Sequence, residues 1–493
     1  MSTVIAMSNA GILSQVRERW ILLGLFLFGL AIRLGVIVGS GFDGLYGQDA
    51  FAYLDYTKQI LELDLAGPFY WPLGYPALAA FGTLFVRDPV VGAQAVNVLF
   101  GALLPLLIYQ IIGLVLDALG FKDVVLFKVL GGFIAALAGQ LIHSSVVIMS
   151  DMSALFWALL SLYALLQLNR SSSWVWLYLF ILPLALAIAT RWLYAGLLLP
   201  FSIYFVIAHY SLLRSSRFVL FAILSLLLIG LQFVFSQNSA EPVLGHIWLE
   251  NWNLSYAFQT MFDTPDGRFQ YRWPPLVFYA SPLFHPYYLF PLLTPFVLAG
   301  MWRLRASRVL IPLGGWVMML YLFLIGIPFE NFRFGLAFFP PVIIFAVVGL
   351  AVPPFSLRRW ILTAVFVSLI ASVPFTYKGL SALFDLKSRE LGYASYVEKM
   401  TSPGSTVITF SATLTLDHYT DVEPVDLYVQ SPVTLQALMD SASQPVYVFV
   451  QIENLETQWV GKAPLVNYLW LRDSFALREI GTYDDWVLYS TDR

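Results

Sequence analysis

Long apolar runs separated by short polar turns dominate the chain from residue 20 to residue 376. A helix needs roughly 20 apolar residues to cross a bilayer. Runs of this kind lie at 20–39, 89–116, 124–143, 152–168, 174–190, 192–211, 217–236, 286–303, 308–327, 334–351 and 358–376, which predicts about eleven crossings. Leu73–Val86 is shorter and bracketed by Pro72, Pro76 and Pro89, so an interfacial or re-entrant helix suits it better. The runs 174–190 and 192–211 meet at Thr190-Arg191 and predict short, tightly joined helices. The connection 237–285 is long and rich in aromatic residues, and such connections are usually functional or separately folded. After residue 377 the pattern changes: Thr406–Phe410, Val446–Gln451 and Trp486–Ser490 read as strands, with helical stretches Ser388–Met400 and Thr434–Ser441 between them. Strands alternating with helices predict a small α/β domain. The expected organisation is a polytopic α-helical membrane domain, residues 1–376, followed by a C-terminal α/β domain, residues 377–493.

Charge orients this array. Arg17 and Arg19 precede the first run and place the N-terminus in the cytoplasm by the positive-inside rule. Alternate loops should then be basic, and they are: Lys122 and Lys128, Arg170, Arg214 and Arg217, Arg303 to Arg308, Arg358 and Arg359. The intervening loops carry the acids, and the parity of crossings puts the C-terminal domain on their side, outside. The opening run is too long for a signal-peptide core and no A-x-A site follows, so it reads as an uncleaved first span. Of 493 residues, 59% are hydrophobic and 12% charged, against about a quarter charged in soluble domains. A net charge of −3 excludes a nucleic-acid-binding design. With no cysteine there is no thiol nucleophile or thiolate metal site, and the five histidines show no HExxH spacing.

The polar residues that break the pattern gather on the outer face. GFDGLYGQDAFAYLDY, Gly41 to Tyr56, interleaves Asp43, Asp49 and Asp55 with five aromatics; on a helix Asp49, Tyr53 and Tyr56 share one face. The second outer loop brings His143 and Asp151, the third Arg191, the fourth His246, Glu250, Asp263, Arg268, Arg272 and His285, and the fifth Glu330 and Arg333. Plain structural readings stand beside each. Asp151 suits a helix first turn, Arg191 can snorkel from a helix end, and Arg333 can bridge Glu330 at i, i+3. His143 and His285 suit an interface. The coincidence on one face is what points to a catalyst of an anionic substrate at the bilayer surface.

The chain resembles the GT-C superfamily of integral-membrane glycosyltransferases, in particular the protein mannosyltransferase and aminoarabinose transferase branch. GQDAFAYLDY is similar to its first-loop acid followed by an aromatic helix, and YWPLGYPALAAFGTLF to its proline-leucine-tyrosine segment. MSDMSALFW resembles a second acid opening a span, LALAIATRWLYAGLLLP its "ALxTR/K…LLP" segment, and FRFGLAFFPPVIIF its "RYxLPxxP" span. Gln48-Asp49-Ala50 stands where many members have an Asp-Glu pair, and Phe334 follows Arg333 where they have Tyr. The resemblance implies transfer of one sugar from a polyprenyl-phosphate donor to a lipid, glycan or protein acceptor, with inversion, without nucleotide or haem, in a plasma (inner) membrane. It implies Asp49 as catalytic base, with Asp55 as the alternative. Arg191, Arg333, Arg272 and His285 would hold the donor phosphate. Asp151 would orient the acceptor or, with Asp49, hold a divalent cation such as Mg or Mn. Tyr53, Trp71, Asp55, His143 and Glu330 would contact substrate. Rival expectations are a lipid-linked oligosaccharide ligase, a transporter or flippase, and a scaffold whose outer domain binds a partner.

Overall fold

The computed structural model describes residues 2–64, 71–122, 124–235 and 247–491. His246 lies outside them. The chain opens with α1 (Ser2–Ser40), α2 (Gly47–Leu61), α3 (Gly74–Val86) and α4 (Pro89–Ala118). Pro89 at the first helical position and Asp88, whose carboxylate accepts from the Val91 amide at 3.0 Å, start α4 by satisfying an otherwise orphaned donor. Then come α5 (Val125–Leu137), α6 (Gly139–Val146), α7 (Asp151–Gln167), α8 (Trp174–Thr190), α9 (Leu198–His209) and α10 (Ser216–Phe235). The long connection holds short helices α11 (Ile247–Glu250) and α12 (Pro275–Phe278) around a hairpin of β1 (Met261–Thr264) and β2 (Gly267–Gln270). The helical part closes with α13 (Thr294–Leu304), α14 (Leu310–Ile325), α15 (Phe339–Ala351) and α16 (Arg358–Met400).

Each of the eleven apolar runs carries a helix. Among the described residues five helices are long and apolar enough to cross a membrane, and six if α5 and α6 form one bent span; α7, α8, part of α10 and α14 are shorter apolar helices. The 13 residues of α3 span about 20 Å, less than the roughly 30 Å hydrocarbon core, in keeping with its proline-bracketed sequence. The predicted run 124–143 is not straight: α5 and α6 meet at 54°. The bend follows from Gly139, where a Cβ would strike the Tyr287 ring at 2.5 Å, while the next amide, Gln140, donates to the Tyr287 carbonyl at 2.9 Å. α15 is the most enclosed helix, buried along its whole length, and α6 and α7 are mostly buried as well.

The C-terminal region is the expected α/β unit. Its five strands are β3 (Thr406–Thr409), β4 (Glu423–Asp426), β5 (Val446–Val450), β6 (Leu477–Tyr483) and β7 (Trp486–Thr491), in the order β4-β3-β5-β7-β6. β3 runs parallel to β4 and β5, while β7 runs antiparallel to β5 and β6. Helices α17 (Thr413–Tyr419), α18 (Pro432–Ser441), α19 (Ile452–Gln458) and α20 (Ala463–Ser474) are threaded between the strands. The all-buried run Val446–Val450 takes the central position, as an uninterrupted apolar strand should. α16 continues unbroken through residue 377 to Met400. Its 43 residues rise about 65 Å, roughly twice the thickness of a hydrocarbon core, so its second half stands clear of the bilayer as the stem of the sheet domain.

Candidate active site

Two loops, 41–46 and 147–150, meet at one end of the bundle. Gly44 has φ +89°, and a Cβ there would lie 2.8 Å from Ile148; its carbonyl accepts from the Ile148 amide at 2.9 Å. Two buried amides on α4 hold both loops. Gln94 donates to the Phe42 and Val146 carbonyls at 3.1 and 2.8 Å, and Asn97 to the Val147 and Met149 carbonyls at 2.7 Å each. Unwound backbone at this depth must find internal partners, and these amides supply them.

The loops deliver two carboxylates to two arginines. Asp49, in the first turn of α2, receives Arg333 Nη2 at 2.5 Å on Oδ2. Asp151, which opens α7, receives Arg191 Nη1 at 2.8 Å on Oδ1, and its Oδ2 has no partner among the described residues. The pairs adjoin: Arg333 also lies in the field of Asp151, and the guanidiniums of Arg191 and Arg333 stand 5.1 and 5.5 Å from the Phe334 ring centre. Asp49 is the accessible acid, its side chain 36% exposed against 7% for Asp151. Ser150 joins the halves, 2.8 Å from the Tyr53 hydroxyl and 3.5 Å from Arg191 Nη1. Tyr53 stacks on Trp71 at 6.3 Å, and burial raises its hydroxyl pKa. His143 sits between the hydroxyls of Tyr287 at 3.0 Å and Tyr46 at 3.5 Å.

The other expected residues fall elsewhere. Asp55 leans on Lys58 at 3.6 Å and senses Asp417 of the sheet domain, because six residues after Asp49 it points to another side of α2. Glu330 does not bridge Arg333, which Asp49 holds instead; its Oε1 is buried without a partner among the described residues, and burial lifts its pKa to about 7. Arg272 is exposed and covers its own neighbour Trp273, 5.4 Å from that ring. His285 accepts from the Tyr287 amide at 3.2 Å and packs edge-on against Phe332, so its imidazole is spent on the loop that leads to Arg333.

Several participants were not singled out from the sequence. Tyr46, whose hydroxyl lies 3.5 Å from His143 Nε2, is in the field of Arg333, Asp151 and Asp49. Gln94 and Asn97 were visible as amides three apart inside an apolar helix. Arg33, fully buried in α1, donates to Ser145 Oγ at 2.9 Å and to the Gly29 carbonyl at 2.8 Å, stitching α1 to α6. The sheet domain also reaches the site. Lys387 Nζ and the Tyr419 hydroxyl contact Asp43 Oδ2 at 2.9 and 2.8 Å, the Gly47 amide donates to Glu390 at 2.7 Å, and the Leu414 amide to Gln48 at 3.1 Å.

Residues 63–242, which take in Trp71, His143, Asp151 and Arg191, match the dolichyl-phosphate-mannose-protein mannosyltransferase family. The fold is that of the GT-C membrane glycosyltransferases. ArnT from Cupriavidus metallidurans, in a structure bound to undecaprenyl phosphate, superposes with a TM-score of 0.61 at 15% identity, over 96% of this chain and 97% of its own. The oligosaccharyltransferase AglB from Archaeoglobus fulgidus, in complex with an inhibitory peptide and a dolichol-phosphate, gives 0.54 at 12% identity over 89% and 70%. The mycobacterial arabinofuranosyltransferase AftD gives 0.52 at 14% over 97% and 40%. No curated protein matches in sequence. Another structure of the archaeal enzyme holds zinc and sulfate. In this chain Asp49 and Asp151 each face an arginine, and no group of three or more His, Cys, Asp or Glu stands together among the described residues. With both carboxylates already paired to arginines and no third acidic or histidine donor beside them among the described residues, these side chains alone do not make a divalent-cation site.

Proposed function

We propose that this protein is a membrane glycosyltransferase that moves a monosaccharide from a polyprenyl-phosphate donor to an acceptor hydroxyl on the extracytoplasmic face, with inversion. The observation that carries this is the adjacent pair of arginine–carboxylate contacts, Asp49–Arg333 and Asp151–Arg191, at one end of a GT-C fold. Arginine is the residue for bidentate phosphate recognition, and two guanidiniums gathered at one aromatic ring offer a cradle for a monophosphate head. A donor phosphate competes with Asp49 for Arg333, and that exchange frees the carboxylate beside the sugar. The acceptor oxygen then attacks the anomeric carbon, the bond from that carbon to the phosphate oxygen breaks, and the bonding pair leaves with the polyprenyl phosphate. Asp49 takes the hydroxyl proton. Arg191 and Arg333 stabilise the charge that grows on the departing phosphate. Asp151 holds Arg191 in place, and no step is routed through a metal ion.

The lipid tail would lie against the exposed apolar flanks of the bundle, in contact with membrane lipids. The test is transfer from a polyprenyl-phosphate sugar by the protein in lipid nanodiscs, followed beside donor binding. Asp49→Asn should bind donor and not turn over. Full turnover by that variant removes the assigned base.

A further inference from the structure

A cavity of about 220 Å³ lies between the β1–β2 hairpin, α11 and the turn at Pro328-Phe329. Its walls combine the rings of Trp248, Tyr256, Phe269 and Phe329 with the side-chain amides of Asn251 and Gln259. Ring faces beside planar amides are the surface a sugar ring requires: its C–H face packs on aromatics while vicinal hydroxyls meet polar groups at the edge. Small-molecule sites commonly run to about 300–1,000 Å³, so this smaller space suits a single ring and excludes a lipid.

Charge narrows the occupant. Among the cavity-lining residues no lysine or arginine occurs, and the cations at its rim, Lys462 and Arg268, are held by Asp263. Asp263 and Asp266 stand at the rim, but Asp263 already receives Lys462 at 2.7 Å and Arg268 at 3.4 Å, and Asp266 bonds Tyr428. With these carboxylates engaged, the pocket lacks the free charge that would favour a cation over a neutral polyol.

Position links the cavity to the chemistry. Phe329 is four residues before Arg333, a backbone reach of at most about 14 Å. Trp248 stacks on Phe329 at 6.1 Å and packs on Phe334 at 5.3 Å, the same ring that underlies both arginines. We infer that this cavity is an acceptor subsite that holds one neutral saccharide ring beside the donor phosphate site. The assignment rests on the transferase reading for its role, though not for the binding itself.

The experiment uses the full chain in nanodiscs. Saturation-transfer NMR with neutral methyl hexosides, without donor, should give a hexoside signal that disappears in Tyr256→Ala and in Gln259→Ala. With a saccharide acceptor, both variants should raise its KM about tenfold, the loss of roughly one stacking or hydrogen-bond contribution, while donor KM and kcat at saturating acceptor stay unchanged. Gln259 is exposed, so its truncation leaves the fold intact. No hexoside signal in the wild type, a signal that survives both variants, or displacement by tetramethylammonium or inorganic phosphate would overturn the subsite. A wild-type signal abolished by both substitutions, in a protein that transfers no sugar, would keep the sugar site and sink the transferase reading instead.

Discussion

Both ends of the helical bundle carry ion pairs, yet the two ends differ in kind. At the end that holds the N-terminal half of α1, Arg170 meets Asp117 with both side chains about half exposed, and a buried lysine, Lys128, reaches out to Glu18, itself 41% exposed. An exposed pair such as Arg170–Asp117 is worth about 0–1 kcal/mol. Such a pair asks nothing more of the chain than its place at the surface. At the opposite end Asp151–Arg191 is largely withdrawn from solvent and Asp49–Arg333 half so, and the loops beneath are clamped by buried amides. Desolvating charges is costly unless they are paired, and nothing in packing alone requires two such pairs side by side. The difference separates charges that orient a membrane protein from charges that equip it.

The sharpest way to break this contrast is Asp49→Asn. Loss of a general base should lower kcat by about 10² to 10⁴-fold with donor affinity retained, read by transfer assays in nanodiscs. Next comes Arg191→Met, which strands Asp151. Losing one partner of a buried pair costs about 3–5 kcal/mol, so thermal unfolding should show a large destabilisation. The double variant Asp151→Asn with Arg191→Met should recover much of it, and equal loss in both would deny the coupling. A smaller effect belongs to Glu330. Its pKa is raised from 4.5 to about 7 by burial, so the folded state binds that proton more tightly than the unfolded chain. The contribution is present below about pH 4.5 and is lost as pH rises to 7. Unfolding midpoints taken across that window should fall less steeply in Glu330→Gln than in the parent. Smallest of all, Arg170→Ala at the other end should change stability by less than about 1 kcal/mol and leave transfer untouched.

The apolar runs foretold every long helix, because a bilayer-sized stretch has few other structures open to it. The C-terminal α/β unit was legible for a similar reason: β-branched strands alternate with helices over a short distance. Asp49, Asp151, Arg191 and Arg333 could be nominated since charges beside apolar runs stand out. Their partnering could not be. Nothing local distinguishes Arg333 reaching Glu330 three residues away from Arg333 reaching Asp49 in another loop; packing decides it. Arg272 and His285 looked equivalent to the other cations in the sequence, but one found Trp273 and the other a backbone amide first. The cavity by Phe329 was beyond reach altogether, as it exists only where the hairpin and a distant turn come together.

The stem helix α16 has a consequence for any attempt to divide the molecule. One continuous rod is both a membrane span and the base of the sheet domain, and from its upper half Lys387 and Glu390 grasp Asp43 and Gly47. The two units therefore share a joint at the very segment that carries Asp49. Cutting the chain at residue 376 would not release a simpler helical unit; it would amputate the hand that steadies the segment bearing Asp49.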